Sequence, residues 1–268
     1  MNTKFNTGNF NHRARKRFGQ NFLHDENVIR RIIDCIAPKP DEHIVEIGPG
    51  RGALTRHLVD ECGTLDTIEL DRDLADYLTR TLQQQKKFSI HQCDILKFDL
   101  ASLTDKPHSL RIVGNLPYNI STPVIFHLLK NHHLIKDMTF MLQLEVVNRL
   151  AARAGVKNYG RLSLMTQYYC EVQHLFNVPS AAFTPKPKVS SAIVRLIPHS
   201  VMPVSANDVE CLQNVIRTAF NQRRKTLKNS LKPLVSEQIL GELQLDLSLR
   251  PEKLTLSDYI SISDAISS

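Results

Sequence analysis

Strand-like and helix-like patterns alternate along the first 140 residues of this 268-residue chain, and this alternation constrains the fold more than any other feature. Short apolar runs typical of strands lie at 43–47, 64–70, 88–92, 110–114 and 138–142. Patterns with helical periodicity separate them at 53–62, 74–85 and 122–131, and a further helix is predicted after Asp25, a candidate N-cap. Such alternation predicts an α/β fold in which helices cover both faces of a parallel sheet.

The pattern changes after about residue 160. A helix is predicted at 161–169, and strands at 172–178 and 189–196 flank the proline-rich turn FTPKPK. A linker follows, and the rest of the chain carries only helical patterns. We therefore predict three parts, namely a basic N-terminal arm and loop (1–24), an α/β domain (25–200) and a small helical domain (207–268).

The positive charge of the chain is concentrated in two segments. The formal net charge is +7, and residues 1–24 and 217–232 hold eleven of the 34 lysines and arginines without any acidic residue. The rest of the chain has 23 basic and 27 acidic residues. This distribution is typical of a protein that binds a nucleic-acid backbone, with Arg223, Arg224 and Lys225 as candidate phosphate contacts. A solvated tail and a solvated helix face are the alternative.

Several classes of protein are excluded by pattern. No apolar run approaches the roughly 18 residues of a membrane helix, and the basic N-terminus lacks the apolar core of a secretion signal. The five cysteines include no C-x-x-C pair, and the eleven histidines show no ligand spacing, so neither a metal site nor a disulfide framework is expected. We expect a cytoplasmic protein with reduced cysteines.

A glycine-rich loop follows the first predicted strand of the alternating region. In EIGPGRGALT, Gly48, Gly50 and Gly52 lie between a strand and a helix. Glycine at such a position allows positive φ angles and a close approach of the backbone to a ligand. The spacing differs from the G-x-G-x-x-G of dinucleotide enzymes, and the Gly-Lys-Ser/Thr ending of a P-loop is absent. A tight turn without a ligand is the alternative.

Acidic residues follow the next two strands. Glu69 lies at the end of the second strand and Asp94 just after the third. At these ends an acid can accept hydrogen bonds from the ribose hydroxyls or the adenine amino group of an adenosine ligand. Each of the two can also be a solvated helix cap, a role open to Asp71 as well. A glycine loop and two acids at three successive strand ends favour the ligand.

The fourth strand leads into Asn115-Leu116-Pro117-Tyr118. The side-chain oxygen of Asn115 and the carbonyl of Leu116 or Pro117 can accept the two N–H bonds of an exocyclic amine. This would favour a pyramidal nitrogen whose lone pair can attack an electrophile, while Tyr118 stacks on the base. The alternative is an Asn-Pro turn beside a core tyrosine.

With this segment the sequence resembles the S-adenosylmethionine-dependent rRNA adenine N6,N6-dimethyltransferases, and among them the bacterial small-subunit enzymes. The resemblance runs from Arg15 to Tyr259 and is carried by RKRFGQNFL, VEIGPGRGALT, IELD, GNLPYNIS, FTPKPKV and FNQRRKT. It implies a Rossmann-like class I methyltransferase sheet of seven strands, the last antiparallel, with a small helical C-terminal domain. The residues that it implies for binding S-adenosyl-L-methionine are Asn21, Leu23, Gly48, Glu69, Asp94 and Asn115. Gly50 of the glycine loop is a further candidate for this site.

The resemblance also implies a substrate, two adjacent adenosines in the 3′-terminal stem-loop of small-subunit rRNA within an immature 30S particle. The adenine must leave its stack, and Tyr118 and Phe183 are the candidates to sandwich it. We expect a monomer whose N-terminal loop covers the cofactor. The sequence departs from the family pattern at Leu144, where a basic residue is common, and at Ser190, where an acid is common.

Three other functions are considered. One is a large-subunit rRNA adenine dimethyltransferase of the antibiotic-resistance type, which has the same chemistry. Another is a ribosome assembly factor that docks on immature subunits, for which the basic segments suffice without the acids or the NLPY segment. The third, an NAD-dependent dehydrogenase, is disfavoured by the glycine spacing.

Overall fold

The structure, a computed structural model, describes residues 15, 20–222, 224–243 and 245–267. The strands in this part of the chain are β1 (Phe22–Leu23), β2 (His43–Ile47), β3 (Thr64–Ile68), β4 (Phe88–His91), β5 (Leu110–Asn115), β6 (Ile135–Gln143), β7 (Cys170–Val178), β8 (Phe183–Thr184) and β9 (Ser191–Pro198). The helices are α1 (Glu26–Ile36), α2 (Thr55–Glu61), α3 (Arg72–Leu82), α4 (Ser121–Lys130), α5 (Leu144–Leu150), α6 (Arg161–Tyr169), α7 (Val209–Asn221), α8 (Leu227–Leu231), α9 (Glu237–Glu242) and α10 (Leu256–Ser267).

Seven strands form one sheet in the order β4-β3-β2-β5-β6-β9-β7. The strands from β4 to β6 pair in parallel with their neighbours, and β9, the last strand in chain order, is antiparallel to β6. A separate antiparallel pair joins β1 to β8. The predicted α/β fold, with seven strands and an antiparallel last strand, is confirmed.

The sheet is held to its covering helices by apolar packing. Helix α1 begins after Asp25, whose side chain accepts hydrogen bonds from two backbone N–H groups of the first turn, as predicted. Its buried residues Ile29 and Ile33 belong to one core cluster with Ile44 of β2 and Val113 of β5. These two strands are buried along nearly their whole length, as expected for a parallel sheet with helices on both faces.

A buried arginine stabilises the end of the sheet at which the parallel strands begin. Arg111, near the start of β5, donates to the carbonyl of Ile36 at 2.7 Å and to Glu42 at 2.6 Å, and it also pairs with Asp137 at 3.0 Å. The carbonyl belongs to the last residue of α1 and therefore lacks a partner within the helix. This network connects α1 to β5. The carboxyl ends of the parallel strands, at the opposite end of the sheet, are left for a site.

Some element boundaries differ from the prediction. Helix α2 begins at Thr55 instead of residue 53, because the glycine loop continues as turns through Leu54. Strand β6 begins at Ile135, three residues early. Helix α5 was not predicted, since its apolar residues continue directly from those of β6 without a turn residue to separate them.

The chain divides into two compact units. One comprises the described residues up to Val147 together with Gln173–Pro198, and the other comprises Asn148–Val172 with the described residues from His199 onward. The second unit contains helices α6 to α10, of which α7 to α10 form the helical C-terminal region of the fold. The boundary between domains at 200–207 stays a prediction.

Candidate active site

The carboxyl ends of β2, β3 and β5 meet at one edge of the sheet, because Ile47 lies in register with Ile68 on one side and Gly114 on the other. A cavity of about 330 Å³ opens at this edge. All the residues that line it belong to the first unit. They include the predicted site residues Asn21, Leu23, Gly48, Gly50, Glu69, Asp94, Asn115, Leu116, Pro117 and Tyr118.

The glycine loop forms one wall of this cavity. Gly50 has a φ of 58°, and a Cβ atom built on it would lie 3.4 Å from ring carbons of Phe22. The guanidinium carbon of Arg51 lies 4.4 Å from the centre of the same ring. The positive φ favours glycine at position 50, and the Phe22 ring packs against the loop beside it.

A second glycine at this edge was not singled out from the sequence. A Cβ atom on Gly114 would lie 2.5 Å from the carbonyl oxygen of Ile47. Any other residue would therefore push β5 away from β2 at the point where the glycine loop and the NLPY segment begin. The sequence does not show this close approach of Gly114 to Ile47, because it depends on the pairing of β5 with β2.

Glu69 lies just past β3 and is only 6% exposed. Its Oε2 atom accepts a hydrogen bond from the backbone N–H of Gly50 at 3.2 Å, and its Oε1 atom accepts from that of Asp71 at 2.8 Å. Burial raises the pKa of this carboxyl above its ordinary value. The acid is thus held against the glycine loop with lone pairs left to accept further hydrogen bonds from a ligand.

Asp94 is both a cap and a cavity residue. Its side chain accepts from the backbone N–H of Leu96 at 3.0 Å and so caps the short turn Ile95–Lys97. It lines the same cavity as Glu69, as does the half-buried Cys93 beside it. The two interpretations considered from the sequence, solvated cap and ligand contact, are therefore compatible in one residue.

The Asn115–Tyr118 segment begins at the last residue of β5. The Nδ2 atom of Asn115 donates to the backbone carbonyl of Asn21 at 3.2 Å, which leaves its Oδ1 atom to accept. The carbonyl of Pro117 accepts from the backbone N–H groups of Ile120 and Ser121, each at 3.1 Å. The start of α4 therefore uses the Pro117 carbonyl, and Leu116 offers the better second acceptor.

The two aromatic candidates differ in position. Tyr118 is half-buried on the cavity wall, and its hydroxyl bonds to that of Ser191 at 3.0 Å. Phe183 does not line the cavity; it is 3% exposed, belongs to the core and pairs with Leu23 through the β1–β8 ladder. A stacking role for Phe183 stays a prediction, and it requires that the ring become accessible.

A buried acid escaped the sequence analysis. Glu46, the fourth residue of β2, lines the cavity, and its Oε2 atom accepts a hydrogen bond from the hydroxyl of Thr55 at 2.7 Å. Burial, with a smaller contribution from the charge of Glu69, raises its pKa to about 8. One charged residue inside an apolar strand was the signal that could have identified it.

The segment Gln20–Leu23 lines the cavity next to the glycine loop and is anchored by a buried acid. Asp71, which is 1% exposed, accepts hydrogen bonds from Nη1 of Arg15 at 2.9 Å and from Nε2 of Gln20 at 3.0 Å. Arg15 also pairs with Asp73, on the exposed side of α3. Asp71 caps α3, as considered from the sequence. Through its bonds to Arg15 and Gln20 it also attaches the N-terminal segment to the end of β3, two residues after Glu69.

The remaining predicted residues lie elsewhere. Arg223 falls outside the described residues, while Arg224 and Lys225 are exposed between α7 and α8. The two departures from the family pattern are neighbours, because the backbone N–H of Leu144 donates to the carbonyl of Ser190 at 3.0 Å. Among the described residues, no helix is long and apolar enough to cross a membrane, and no three His, Cys, Asp or Glu residues are grouped as metal ligands.

Comparison with known proteins agrees with this geometry. A family model described as ribosomal RNA adenine dimethylase matches residues 11–268. A ribosomal RNA small subunit methyltransferase A of Pseudomonas syringae pv. tomato is 55% identical over 261 residues, which cover 97% of each chain. A crystal structure of a dimethyladenosine transferase from Plasmodium falciparum has a TM-score of 0.78 at 25% identity, covering 90% of this chain and 95% of that one.

The crystal structure of the 23S rRNA methyltransferase ErmE shares the fold, with a TM-score of 0.70 at 24% identity over 92% of this chain and all of that chain. The likeness to ErmE extends to architecture alone. The family model, in contrast, spans nearly the whole sequence, and the Pseudomonas relative matches it over almost its full length. The chain therefore belongs to the ribosomal RNA adenine dimethylase family.

Proposed function

We propose that this chain transfers methyl groups from S-adenosyl-L-methionine to N6 of two adjacent adenosines in the 3′-terminal stem-loop of small-subunit rRNA, during assembly of the 30S subunit. One observation carries the proposal. A single cavity is lined by the glycine loop, by Glu69 and Asp94, and by the Asn115–Tyr118 segment. The cofactor groups and the amine-binding groups therefore face one volume, as transfer between two bound molecules requires.

The cavity fits an adenosine-containing cofactor. Its volume of about 330 Å³ lies at the lower end of the roughly 300–1,000 Å³ found for small-molecule sites. Glu69 is held to accept from ribose hydroxyls, Asp94 to accept from the adenine amino group, and the backbone of Gly48 and Gly50 to approach the amino-acid part. Asn21 and Leu23 would close the cofactor from the other side. When bound, S-adenosylmethionine supplies an electrophilic sulfonium methyl group.

The residues at the tip of β5 prepare the amine. An exocyclic amine is a weak nucleophile, since its lone pair is delocalised into the adenine ring. Oδ1 of Asn115 and the carbonyl of Leu116 would accept its two N–H bonds, favour a pyramidal nitrogen and direct the lone pair toward the methyl group. Tyr118, fixed by its hydrogen bond to Ser191, would stack on the base. Orientation and fixed dipoles thus supply the catalysis without a strong base.

The substrate assignment is supported by relatives. The Pseudomonas protein that is 55% identical is named for the small subunit. The large-subunit alternative is supported only by a fold shared with ErmE. The assembly-factor alternative leaves the cofactor cavity and the Asn115–Tyr118 segment without a role. We propose a cytoplasmic monomer whose first 24 residues cover the cofactor and whose helical domain, with Arg223, Arg224 and Lys225, contacts the RNA backbone.

The decisive experiment supplies labelled S-adenosylmethionine with two substrates, small and large ribosomal subunits that lack adenine dimethylation. We expect label in the small subunits only, at two adjacent adenosines near the 3′ end of the rRNA, with both N6 hydrogens replaced. Mass spectrometry of nuclease fragments identifies the modified bases. Label in the large subunit would establish the alternative enzyme, and binding of particles without label would establish the assembly factor.

A further inference from the structure

Ser191 is a buried polar residue at the start of β9, next to an apolar stretch of the same strand. It is 1% exposed, and the three residues that follow it (192–194) are apolar and equally buried. A buried hydroxyl without a hydrogen-bond partner costs free energy, so a serine at this position needs a partner. The partner is Tyr118, whose hydroxyl oxygen lies 3.0 Å from the Oγ atom of Ser191.

The backbone around Ser191 is fixed by the pairing of β6 with β9. Ser191 lies opposite Gln143, the last residue of β6, and the antiparallel pairing continues from there along β9. Just beyond this pair, the backbone N–H of Leu144 donates to the carbonyl of Ser190 at 3.0 Å. The hydroxyl of Ser191 is therefore held in place by two strands of the main sheet.

Tyr118 lies in the turn between β5 and α4, and its main chain is held by the start of that helix. Its carbonyl accepts a hydrogen bond from the hydroxyl of Ser121 at 3.3 Å, and the carbonyl of Pro117 accepts from the backbone N–H of Ser121 at 3.1 Å. These bonds fix the backbone of the turn but do not set the rotation of the tyrosine ring. The bond to Ser191 holds the far end of the ring, so the side chain is fixed at both ends.

The orientation of this ring matters because, of the two aromatic candidates, Tyr118 is the one that lines the cavity. Phe183 is buried in the core cluster. An adenine stacked on Tyr118 takes the plane of that ring, and this plane determines whether N6 meets the acceptors of Asn115 and Leu116. Misplacing a reacting group by about 1 Å can lower a rate about 100-fold.

We propose that Ser191 is a positioning residue of the methyl-transfer reaction. Its hydroxyl holds the ring of Tyr118 in one orientation, and the ring sets the plane in which the adenine presents N6. Ser191 does not line the cavity, so it acts through Tyr118 and not on the reacting atoms. The inference rests on the proposed function, which supplies the adenine, and it extends the machinery of the site to β9, a strand outside the cavity wall.

A double-mutant cycle tests the inference, with small ribosomal subunits that lack adenine dimethylation as the substrate. Ser191→Ala and Tyr118→Phe each remove the same hydrogen bond, the first from β9 and the second from the ring. We expect each variant to lower kcat roughly 2- to 12-fold, the range for loss of one neutral hydrogen bond. The double variant should be no slower than the slower single variant, because the bond can be lost only once.

The split between kcat and KM distinguishes positioning from binding. For Ser191→Ala, the KM for the particles and the affinity for S-adenosylmethionine, measured by calorimetry, should equal those of the wild type, since the cavity wall keeps its residues. Ser190→Ala is the matched control, because it makes the same chemical change one residue earlier, at an exposed position. It should methylate the particles at the wild-type rate.

The inference is overturned if Ser191→Ala methylates at the wild-type rate, if it raises KM with kcat unchanged, or if the two single losses multiply in the double variant. An equal loss in Ser190→Ala would overturn it as well. If circular dichroism shows that Ser191→Ala does not fold, Tyr118→Phe, which leaves β9 intact, decides alone, and a wild-type kcat in that variant would overturn the inference. Failure of the wild-type chain to methylate small subunits would instead overturn the proposed function.

Discussion

In the proposed reaction the side-chain amide of Asn115 has two partners, and this division determines the expected effect of its removal. Nδ2 donates to the carbonyl of Asn21, and Oδ1 would accept from the incoming amine. The acceptor matters most when N6 becomes pyramidal, so we expect Asn115→Ala to lower kcat by about 10²–10³, as for loss of one preorganised polar group. Methylation rates at saturating RNA and cofactor measure the effect.

The product distribution of the same variant is a sharper readout. Monomethyl adenine keeps one N–H and can satisfy only one of the two acceptors, so the weakened site should stall after one methylation. Mass spectrometry of the rRNA should show monomethyl adenosine accumulating. Full dimethylation at the wild-type rate would remove Asn115 from the reaction.

Glu69 is expected to bind the cofactor through its remaining lone pairs. Because hydrogen bonds to a charged group contribute about 1.5–3 kcal/mol, Glu69→Ala should weaken S-adenosylmethionine binding by that amount. Calorimetry on the purified variant gives the affinity, and circular dichroism verifies that it is folded. An unchanged dissociation constant in a folded variant would exclude the assigned role.

Glu46 should make the stability of the chain depend on pH. Its pKa is raised to about 8 in the folded protein, against 4.5 for the free side chain. Between these values the folded state binds more protons than the unfolded state, so the free energy of unfolding falls as pH rises, by at most about 1.4 kcal/mol per pH unit from this group. The contribution is fully present below 4.5 and is lost through pH 8.

The variant Glu46→Gln tests this sign, since it replaces the titrating carboxyl by a neutral amide of similar shape. We expect a flatter dependence of urea-unfolding free energy on pH between about 4.5 and 8. Glu61→Gln makes the same chemical change at an exposed position of α2 and serves as the control. Equal slopes for the Glu46 variant and the wild type would contradict the expectation.

Among the elements, the ones that sequence could predict are those whose signal is local. The strand ends that carry Gly48, Glu69 and Asn115 follow from apolar runs and turn residues, and the parallel pairing of the strands follows from their alternation with helices. Pairing across the chain carries no such signal. Strands β1 and β8 have two residues each and lie more than 150 residues apart, so the ladder that buries Phe183 was not predictable.

The N-terminal wall of the cavity shows the same limit. The local sequence indicates only that Asp71 is a helix cap. Its hydrogen bonds to Arg15 and Gln20 join residues that are more than 50 positions apart in the sequence. Only the resemblance pointed to residues 21 and 23, and it gave no reason for their position. The structure supplies one, since a buried carboxylate holds a segment that lines the cavity.

The hydrogen bonds of Asp71 to Arg15 and Gln20 lead to a prediction for the segment Gln20–Leu23. Asp71→Asn removes the charge that holds Arg15 and Gln20, so the Gln20–Leu23 wall should loosen and affinity for S-adenosylmethionine should fall about 10-fold, near the lower end of values for charged hydrogen bonds. Asp73→Asn removes the exposed partner of the same arginine and should change the affinity less than 2-fold. Isothermal titration of both variants decides; equal effects would mean that Asp71 anchors nothing.

At the scale of the whole molecule, the cavity and the basic segment 217–232 lie in different units. Every residue that lines the cavity belongs to the first unit, whereas the basic residues around α7 and α8 belong to the second. The sequence showed the charge imbalance but divided it between the N-terminal arm and residues 217–232. It did not show that 148–172 joins the C-terminal unit, because that assignment depends on packing such as Tyr159 against Phe220.

This separation predicts that catalysis and docking can be lost independently. Arg223→Ala/Arg224→Ala should weaken binding to undermethylated small subunits and lower the log–log salt slope by about one to two units, because two phosphate contacts are removed. Its affinity for S-adenosylmethionine should equal that of the wild type, since the cavity is untouched. Asn115→Ala should do the reverse, binding the particles with the wild-type salt slope while methylating them slowly.

Particle binding over a KCl series and cofactor titration, carried out on both variants, distinguish the two losses. An unchanged slope in the double arginine variant would mean that these side chains form a solvated face, and a parallel loss of both properties in either variant would mean that the two units do not act separately.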